Sequence, residues 1–248
     1  MALICKIKAI KMKKLIILFL FLNQISLGQY GNGEELLKAM HTKYANNYCQ
    51  SVQFDQKTIR YVNDSTVKDT GYWYEWINYP DKFRIDFGKK FGGNCVIFKN
   101  DSVFNYKNHK LVRKDKDEND LLLILGGMYY RNFEDVVARL ERLGYDLDKL
   151  TQININKNTF YVIGSATENN ENKHQIWVDK KDLKVVKLKT KLNDIDWLEI
   201  RFEDFKKTCK GFNETKVTAY KNGKLEQREE YINLRTGIAI PDSIFNKK

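Results

Sequence analysis

The stretch "YEWINYPDKFRIDF", residues 74–87, contains two strand-like segments separated by a break at Pro80. In the second segment Phe83, Ile85 and Phe87 alternate with charged residues. Successive side chains of a strand point to opposite faces of the sheet, so this alternation predicts one apolar face and one solvated face. A sheet made of such strands must bury its apolar face against another layer.

The same alternation recurs along the chain, with turn residues between the segments. It predicts strands at residues 51–62, 70–79, 82–87, 95–100, 102–107, 110–114, 151–155, 159–164, 174–179, 183–190, 196–205 and 214–232. Leu198, Ile200 and Phe202 share one face of their segment. Asn222 and Gly223 favour a two-residue hairpin turn. Such short connections predict an antiparallel meander.

An amphipathic helix is predicted near the start of this β-rich region. After Asn32, a candidate N-cap, the apolar residues Leu36, Leu37, Met40 and Tyr44 recur at helical spacing. Its apolar face must pack on the sheet or on another helix.

The middle of the chain carries "LLLILGG", residues 121–127, followed by a second amphipathic helical pattern at residues 132–145. The first segment is apolar on all sides, which predicts burial. Gly126 and Gly127 supply a flexible joint after it. A lid over an apolar interior would show both features, and a core helix that fills the interior permanently would need the same composition.

These patterns predict a mainly β, α+β fold in a single domain of residues 29–248. A long sheet with one apolar face can close as a barrel or wrap around helices. With this many strands the enclosed volume can exceed what the side chains fill, and the remainder is then a ligand cavity.

Residues 1–28 have the pattern of a cleaved signal peptide. Lysines precede an apolar run too short to span a bilayer, and small residues lie near Gly28. Met12 begins an equally well-formed signal, so residues 1–11 can lie upstream of the true start. Gln29 follows, rather than a cysteine that could be lipidated. We therefore expect a soluble periplasmic product without a lipid anchor.

Charge and cysteine content narrow the function classes. The formal net charge is +11, and five of the lysines lie in the signal segment. The other lysines alternate with apolar residues, which indicates solvated strand faces rather than a nucleic-acid site. Cys49, Cys95 and Cys209 are widely spaced without a metal-site pattern, which favours small buried residues, with one disulfide as the alternative.

Catalytic and metal-binding motifs are missing from the sequence. His41, His109 and His174 have no metal-ligand spacing, and no P-loop, G-x-S-x-G, H-E-x-x-H or C-x-x-C motif occurs. Adjacent carboxylates such as Glu134 and Asp135 fit a charged surface better than an acid/base pair. We expect no enzymatic activity, metal or cofactor.

The order of these segments resembles the periplasmic outer-membrane lipoprotein carrier family, the LolA-like proteins, in its Bacteroidota-type form. The resemblance rests on "SVQFDQK", "YEWINYPDKFRIDF", "GGNCVIFKNDSVFNYKNHKLV", the mid-chain helical insertion and the closing "IPDSIF". It implies an incomplete antiparallel β-barrel, a half-pipe covered by a helical lid, whose apolar cavity shields the acyl chains of lipoproteins between the inner and outer membranes. The implied partners are a lipoprotein or other acylated ligand, an inner-membrane ABC-type release complex and an outer-membrane acceptor. We expect a monomer with no nucleic-acid partner.

One position departs from the family pattern. Typical members carry an arginine directly before the motif's proline to hold the lid, and this chain has Tyr79 there. Tyrosine can donate a hydrogen bond to a lid carbonyl but cannot supply a charge. Arg84 is expected to point outward into solvent and does not inherit the role.

Candidate ligand-binding residues follow from the apolar faces and the lid. The cavity wall is predicted to consist of Trp76, Phe83, Ile85, Phe87, Leu198, Ile200 and Phe202, and the lid of Leu122, Ile124, Leu125 and Met128. Two alternatives have the same sequence pattern. One is a carrier of another amphiphile, such as a glycolipid or lipid pigment, and the other is a structural or interaction module with a solid barrel.

Overall fold

The computed structural model describes residues 30–45, 47–165, 167 and 173–246. The predicted signal peptide, residues 1–28, lies outside the described residues. No helix in the described part is long and apolar enough to cross a membrane.

One large antiparallel sheet dominates the described structure. Its strands and those of a small hairpin are β1 Ser51–Asn63, β2 Thr66–Asn78, β3 Lys82–Phe87, β4 Cys95–Lys99, β5 Ser102–Lys107, β6 Lys110–Lys116, β7 Leu150–Ile155, β8 Asn158–Ile163, β9 Gln175–Asp179, β10 Val185–Lys191, β11 Trp197–Glu203, β12 Lys206–Thr208, β13 Gly211–Asn213, β14 Lys216–Lys221 and β15 Lys224–Thr236. The thirteen-stranded order is β6-β5-β4-β3-β2-β1-β15-β14-β11-β10-β9-β8-β7, and β12 pairs with β13 separately. The sheet does not close, because β6 and β7 remain as its two edges. This open sheet with few helices confirms the predicted half-pipe class.

Helices lie at the start of the domain, between the two edge strands and after the last strand. They are α1 Gly33–Tyr44, α2 Asp120–Leu125, the 3₁₀-helix η1 Gly127–Tyr130, α3 Phe133–Arg142 and the 3₁₀-helix η2 Asp242–Phe245. The chain therefore crosses from β6 to β7 through α2, η1 and α3.

The first helix begins where the sequence predicts. The Asn32 side chain accepts a hydrogen bond of 2.9 Å from the backbone N–H of Glu35, which satisfies one of the free donors of the first turn. The four residues at helical spacing, Leu36, Leu37, Met40 and Tyr44, are all buried. At the other end the hydroxyl of Tyr44 donates to the backbone carbonyl of Asp182.

Most strands also match the sequence pattern, and the Asn222-Gly223 hairpin is confirmed. Both residues have positive φ, 50° and 78°, as a tight hairpin turn requires. The alternation of polar and apolar residues does not predict two features of the sheet. The short β12–β13 hairpin was not predicted, and β15 continues four residues beyond the predicted end to Thr236.

The two faces of the sheet carry different clusters. We call the face that packs against α2 the inner face; its cluster contains Val52, Phe54 and Leu122, with Ile77 and Phe83 packed against them. The outer face carries Trp76, Cys95, Ile97 and Phe245. The η2 segment therefore covers part of the outer face.

The prediction that Arg84 and Asp86 face solvent is wrong, because the η2 segment covers this part of the outer face. Arg84 and Asp86 do point away from the inner face, but they are 6% and 0% exposed. The guanidinium donates to Asp86 at 2.9 Å and to the backbone carbonyl of Ile244 at 2.8 Å. A buried ion pair needs its remaining polar atoms satisfied, and the C-terminal segment does this from 160 residues away. Alternation within one strand carries no information about such a distant layer.

Two of the three cysteines after the signal segment form a disulfide, and the third is buried. Cys49 and Cys209 form a disulfide that joins the segment after α1 to the β12–β13 hairpin. Cys95 is buried in the outer-face cluster, outside this bridge.

Candidate ligand cavity and its lid

A cavity of about 90 Å³ lies between the inner face and α2. Its lining is mostly apolar with a polar end and consists of Val52, Phe54, Glu75, Ile77, Tyr79, Phe83, Leu121, Leu122, Leu125, Asn213, Glu214, Tyr231 and Leu234. Pockets that hold drug-sized ligands measure roughly 300–1,000 Å³. The cavity in this state is therefore smaller than an acyl chain needs, and a long ligand could enter only if part of the lining moved.

The short helix α2, six residues long, forms the side of the lining opposite the sheet. Its N-cap is Asn119, whose side chain accepts from the backbone N–H of Leu122 at 2.9 Å. Leu122, Leu123 and Ile124 are 9%, 3% and 1% exposed. A second hollow, of about 20 Å³, lies on another side of the helix against Ile124 and Leu125. The helix therefore has incompletely filled space on more than one side. We call residues 120–130, which contain α2 and η1, the lid segment.

Two glycines let the lid segment sit close to the body. A Cβ atom on Gly126 would overlap the ring of Tyr79, and one on Gly127 would lie 2.9 Å from the carbonyl oxygen of Pro80. A Cβ on Gly127 would also lie 2.7 Å from the carbonyl oxygen of Leu122. The glycine pair therefore has a packing role here, beyond the flexible joint that the sequence suggests.

Tyr79, the predicted latch position, contacts the lid with its ring. The residue is 4% exposed, and the Tyr79–Pro80 peptide bond is cis. Its ring lies parallel to that of Tyr130 at 6.4 Å. Within the described residues its hydroxyl makes no hydrogen bond to the lid. The contact is thus one of packing, not the hydrogen bond considered from the sequence.

A polar anchor holds the other end of the insertion. Arg139 of α3 makes a two-pronged ion pair with Asp101, in the turn between β4 and β5, at 2.7 and 3.0 Å. It also contacts Asp135 at 2.9 Å, and Arg142 pairs with Glu118 at 3.0 Å. The Arg139 hydrogen bonds lower the pKa of Asp101, so the carboxylate stays ionised at neutral pH. Ion pairs to the body therefore hold α3 in addition to its buried Val136 and Leu140, whereas α2 has apolar packing and a hydrogen bond from the hydroxyl of Tyr145 to Asp120 at 3.2 Å.

The polar end of the cavity is acidic. Burial raises the pKa of Glu75 well above its usual range, with added repulsion from Glu229 and Glu214. Burial likewise raises the pKa of Glu214 to about 7, and Glu229 contributes repulsion. Glu229 differs because Gln227 and Tyr231 donate hydrogen bonds to it at 2.5 and 3.0 Å. Three carboxyl groups thus lie close enough on the inner face to influence one another.

Several predicted site residues do meet at this cavity. Tyr79, Phe83, Leu122 and Leu125 line it. Ile124 lines the adjoining hollow together with Leu125. Their role in ligand binding stays a prediction.

Other predicted site residues lie elsewhere on the inner face. Met128 is fully buried in η1. Ile85 is half-buried opposite Glu75, and the ring of Phe87 packs edge-on against Trp73 at 5.1 Å. None of the three is in contact with the cavity itself within the described residues.

The predicted wall residues of β11 share the inner face but lie along another part of it. Ile200 and Phe202 are 5% and 4% exposed, and Leu198 is half-buried. Phe202 pairs with Val217, which in turn pairs with Glu229, so this row continues toward the acidic end of the cavity. A ligand longer than the present cavity could reach it.

Trp76 is the one predicted wall residue on the wrong face. It pairs with Arg84 and packs in the outer cluster with Cys95 and Phe245. In an antiparallel pair, opposite residues share a face, and Ile77 lies opposite Phe83. Because Phe83 lies on the inner face, Ile77 and Glu75 also lie there, and Trp76 lies on the outer face. The large apolar side chain of Trp76 was misleading because the outer face is also covered.

The cavity residues that the sequence analysis missed are mainly Glu75, Glu214, Tyr231 and the β1 pair Val52 and Phe54. Strand parity could have identified Phe54 and Glu75, which lie opposite each other. Glu214 follows the unpredicted hairpin and has no local signal. Among the described residues, no group of three His, Cys, Asp or Glu side chains could hold a metal ion.

Comparison with known proteins supports the fold. No family model matches the chain. No curated protein matches it in sequence either. Three solved structures align over nearly the whole domain: a DUF1329 family protein from Desulfovibrio piger (16% identity, TM-score 0.58, 86% of this chain and 95% of that one), a LolA superfamily protein from Nitrosomonas europaea (13%, 0.56, 87% and 98%), and a domain described as an outer membrane lipoprotein-sorting protein from Vibrio parahaemolyticus (13%, 0.59, 87% and 96%). At these identities the likeness establishes a LolA-like fold.

Proposed function

We propose that this chain, which has the LolA-like fold, is a non-enzymatic periplasmic carrier that shields the acyl chains of lipoproteins during transfer from the inner to the outer membrane. The observation that carries the proposal is the cavity between an apolar inner face and a short apolar helix. The lipoprotein-sorting description of the Vibrio structure supports the same cargo class.

Transport of an acyl chain requires the lid segment to move. Each buried methylene contributes about 0.8 kcal/mol, so a long chain can offset the loss of the Leu122 and Leu125 contacts with the inner face. The helix α2 has six residues and no ion pair to the sheet within the described structure. Its displacement would therefore expose apolar surface that the incoming chain replaces.

The cysteine bridge supports export to an oxidising compartment. Disulfides such as Cys49–Cys209 persist in the bacterial periplasm and are rare in the cytosol. An inner-membrane ABC-type release complex and an outer-membrane acceptor are the proposed partners in this scheme. They follow from the family resemblance.

A second candidate is a carrier of a different amphiphile on the same fold. The acidic end of the cavity favours this variant, because acyl chains alone need no polar group. A solid structural module is the third reading, and the same experiment separates it from both carriers.

The test is the uptake of a fluorescent fatty acid by the wild-type protein and by two leucine variants. Leu122→Asp places a charge inside the cavity, whereas Leu192→Asp places the same charge at a site that is 53% exposed. The carrier account expects saturable uptake that Leu122→Asp abolishes and Leu192→Asp preserves, with both variants retaining the far-ultraviolet circular dichroism of a sheet. Failure of the wild type to take up the probe would contradict the proposal.

A further inference from the structure

Among the described residues, the buried carboxyl group of Glu75 has no hydrogen-bond or ion-pair partner. It is 4% exposed and lines the cavity. No residue in the described part of the chain donates a hydrogen bond to it. A buried carboxyl group normally has a hydrogen-bond or ion-pair partner, since its desolvation is otherwise uncompensated.

The outer face shows how this chain satisfies a buried carboxyl elsewhere. Asp86 is 0% exposed, accepts a hydrogen bond from Arg84 at 2.9 Å and another from the backbone N–H of Phe91 at 2.6 Å. Glu229 on the inner face is likewise bonded by Gln227 and Tyr231. Glu75 therefore differs from Asp86 and Glu229, whose carboxyl groups accept hydrogen bonds from within the chain.

The cavity also lacks a positive charge, in a chain that is rich in them. The sequence has 43 lysines and arginines against 32 acids. Yet the lining, as far as the structure describes it, contains Glu75 and Glu214 and no lysine, arginine or histidine. Lys184 lies in the adjoining hollow, but it is paired with Asp182 at 3.0 Å and lies over the rings of Phe205 and Phe212.

We propose that the cargo of this carrier is an amphiphile with an amine group next to its apolar chain, and that Glu75 and Glu214 bind this amine as an ammonium ion. The inference rests on the proposed carrier function and specifies its ligand class. The apolar lining takes the chain, and the two carboxylates supply hydrogen-bond acceptors and the opposite charge.

The environment of the two carboxyls gives this binding a pH dependence. Facing them are Glu229 and Tyr231 on β15 and Tyr79 after β2, while α2 contributes only leucines. Burial raises the pKa of Glu214 to about 7, so an arriving ammonium ion must displace a proton from it. Affinity for the amine should therefore increase between pH 6 and pH 8, where a simple alkylamine stays charged.

Three probes with the same twelve-carbon tail test the proposal: dodecylamine, dodecanoic acid and dodecan-1-ol, each measured below its micelle concentration or solubility limit by displacement of a bound fluorescent dye. We expect dodecylamine to bind at least about tenfold more tightly than the other two at pH 8, the size of effect that about 1.4 kcal/mol produces. The net positive charge of the chain attracts the fatty acid, so general electrostatics cannot produce this order. Glu75→Gln should remove the amine preference and leave dodecanol binding unchanged. The matched control Glu226→Gln removes the same charge from an exposed position on β15 and should keep the preference.

Each outcome has a distinct meaning. Equal binding of all three probes, or tighter binding of the acid, would overturn the amine proposal while leaving the carrier function standing. Failure of all three probes to bind would overturn the carrier function itself. Loss of the preference in both Glu75→Gln and Glu226→Gln would overturn the assignment of the amine to the cavity, because the exposed Glu226 does not line it.

Discussion

The ring of Tyr79 packs directly against the backbone of Gly126, in the space that a Cβ atom would occupy. The contact joins the residue before the β2–β3 proline to the hinge of the lid segment. The sequence resemblance implies an arginine at this position, and this chain has a tyrosine ring that packs on glycine backbone instead.

Gly126→Ala should therefore loosen the lid. The added methyl group overlaps the Tyr79 ring, and such overpacking typically costs about 1–3 kcal/mol of the free energy of unfolding. We expect a lower thermal midpoint and faster uptake of a fluorescent fatty acid in stopped-flow measurements.

The matched control is Gly71→Ala, because a Cβ at Gly71 on β2 meets nothing within 4 Å. Combining Gly126→Ala with Tyr79→Ala should recover part of the stability through a favourable coupling energy. Additive losses in that double mutant would show that the two residues are not coupled.

Arg139→Met should weaken the attachment of α3 to the β4–β5 turn. The Arg139–Asp101 ion pair is partly buried on the arginine side, and its removal should lower the free energy of unfolding by about 1.5–3 kcal/mol. The loss of this contact should also speed lid opening. Stopped-flow uptake should also lose most of its dependence on salt in this variant.

Arg113→Met provides the comparison, since its pair with Asp115 is 72% and 39% exposed and such pairs contribute about 0–1 kcal/mol. Unchanged uptake kinetics in Arg139→Met would mean that the anchor does not limit lid opening.

Arg84→Met should be among the most destabilising single changes. It leaves the carboxylate of Asp86 buried without its guanidinium, and breaking such a pair costs about 3–5 kcal/mol. Urea titration followed by tryptophan fluorescence measures the loss, and Trp76 in the same cluster should report it. A loss below about 1 kcal/mol would imply that the η2 segment does not seal the outer face.

The free energy of unfolding should fall less steeply with increasing pH in Glu214→Gln than in the wild type. The pKa of Glu214 is raised from 4.5 to about 7, so the folded state holds the proton more tightly than the unfolded state. The stability from this group is full below pH 4.5 and is lost as pH rises through 7. Burial lowers the pKa of His174, so this group makes the protein more stable as pH increases. The contribution of Glu214 is therefore obtained by comparing the wild type with Glu214→Gln. Thermal midpoints measured from pH 5 to pH 8 should fall more steeply in the wild type; parallel curves would contradict the assignment.

The sequence was informative wherever structure depends on neighbours within a strand or helix. The alternation in residues 82–87 and the spacing of Leu36 and Met40 both predicted elements that the structure confirms. Strand parity also placed Phe83 on the inner face correctly.

Information about distant partners was missing from the same patterns. The burial of Arg84 depends on Ile244, and the disulfide joins residues 160 positions apart. Trp76 was misplaced because two apolar layers cover the sheet, and hydrophobicity alone does not tell them apart. Glu75 was not predicted to line the cavity because a carboxyl group in a strand is ordinarily exposed.

A carrier must hold an amphiphile in the space beneath the lid segment. Native mass spectrometry with lipid extraction, applied to protein purified from a periplasmic fraction, tests it most directly. We expect a bound acylated or amine-bearing lipid whose occupancy falls in Leu122→Asp and persists in Leu192→Asp. A wild-type protein that shows only its own mass and takes up no fluorescent fatty acid would contradict the account and leave a β-rich structural module.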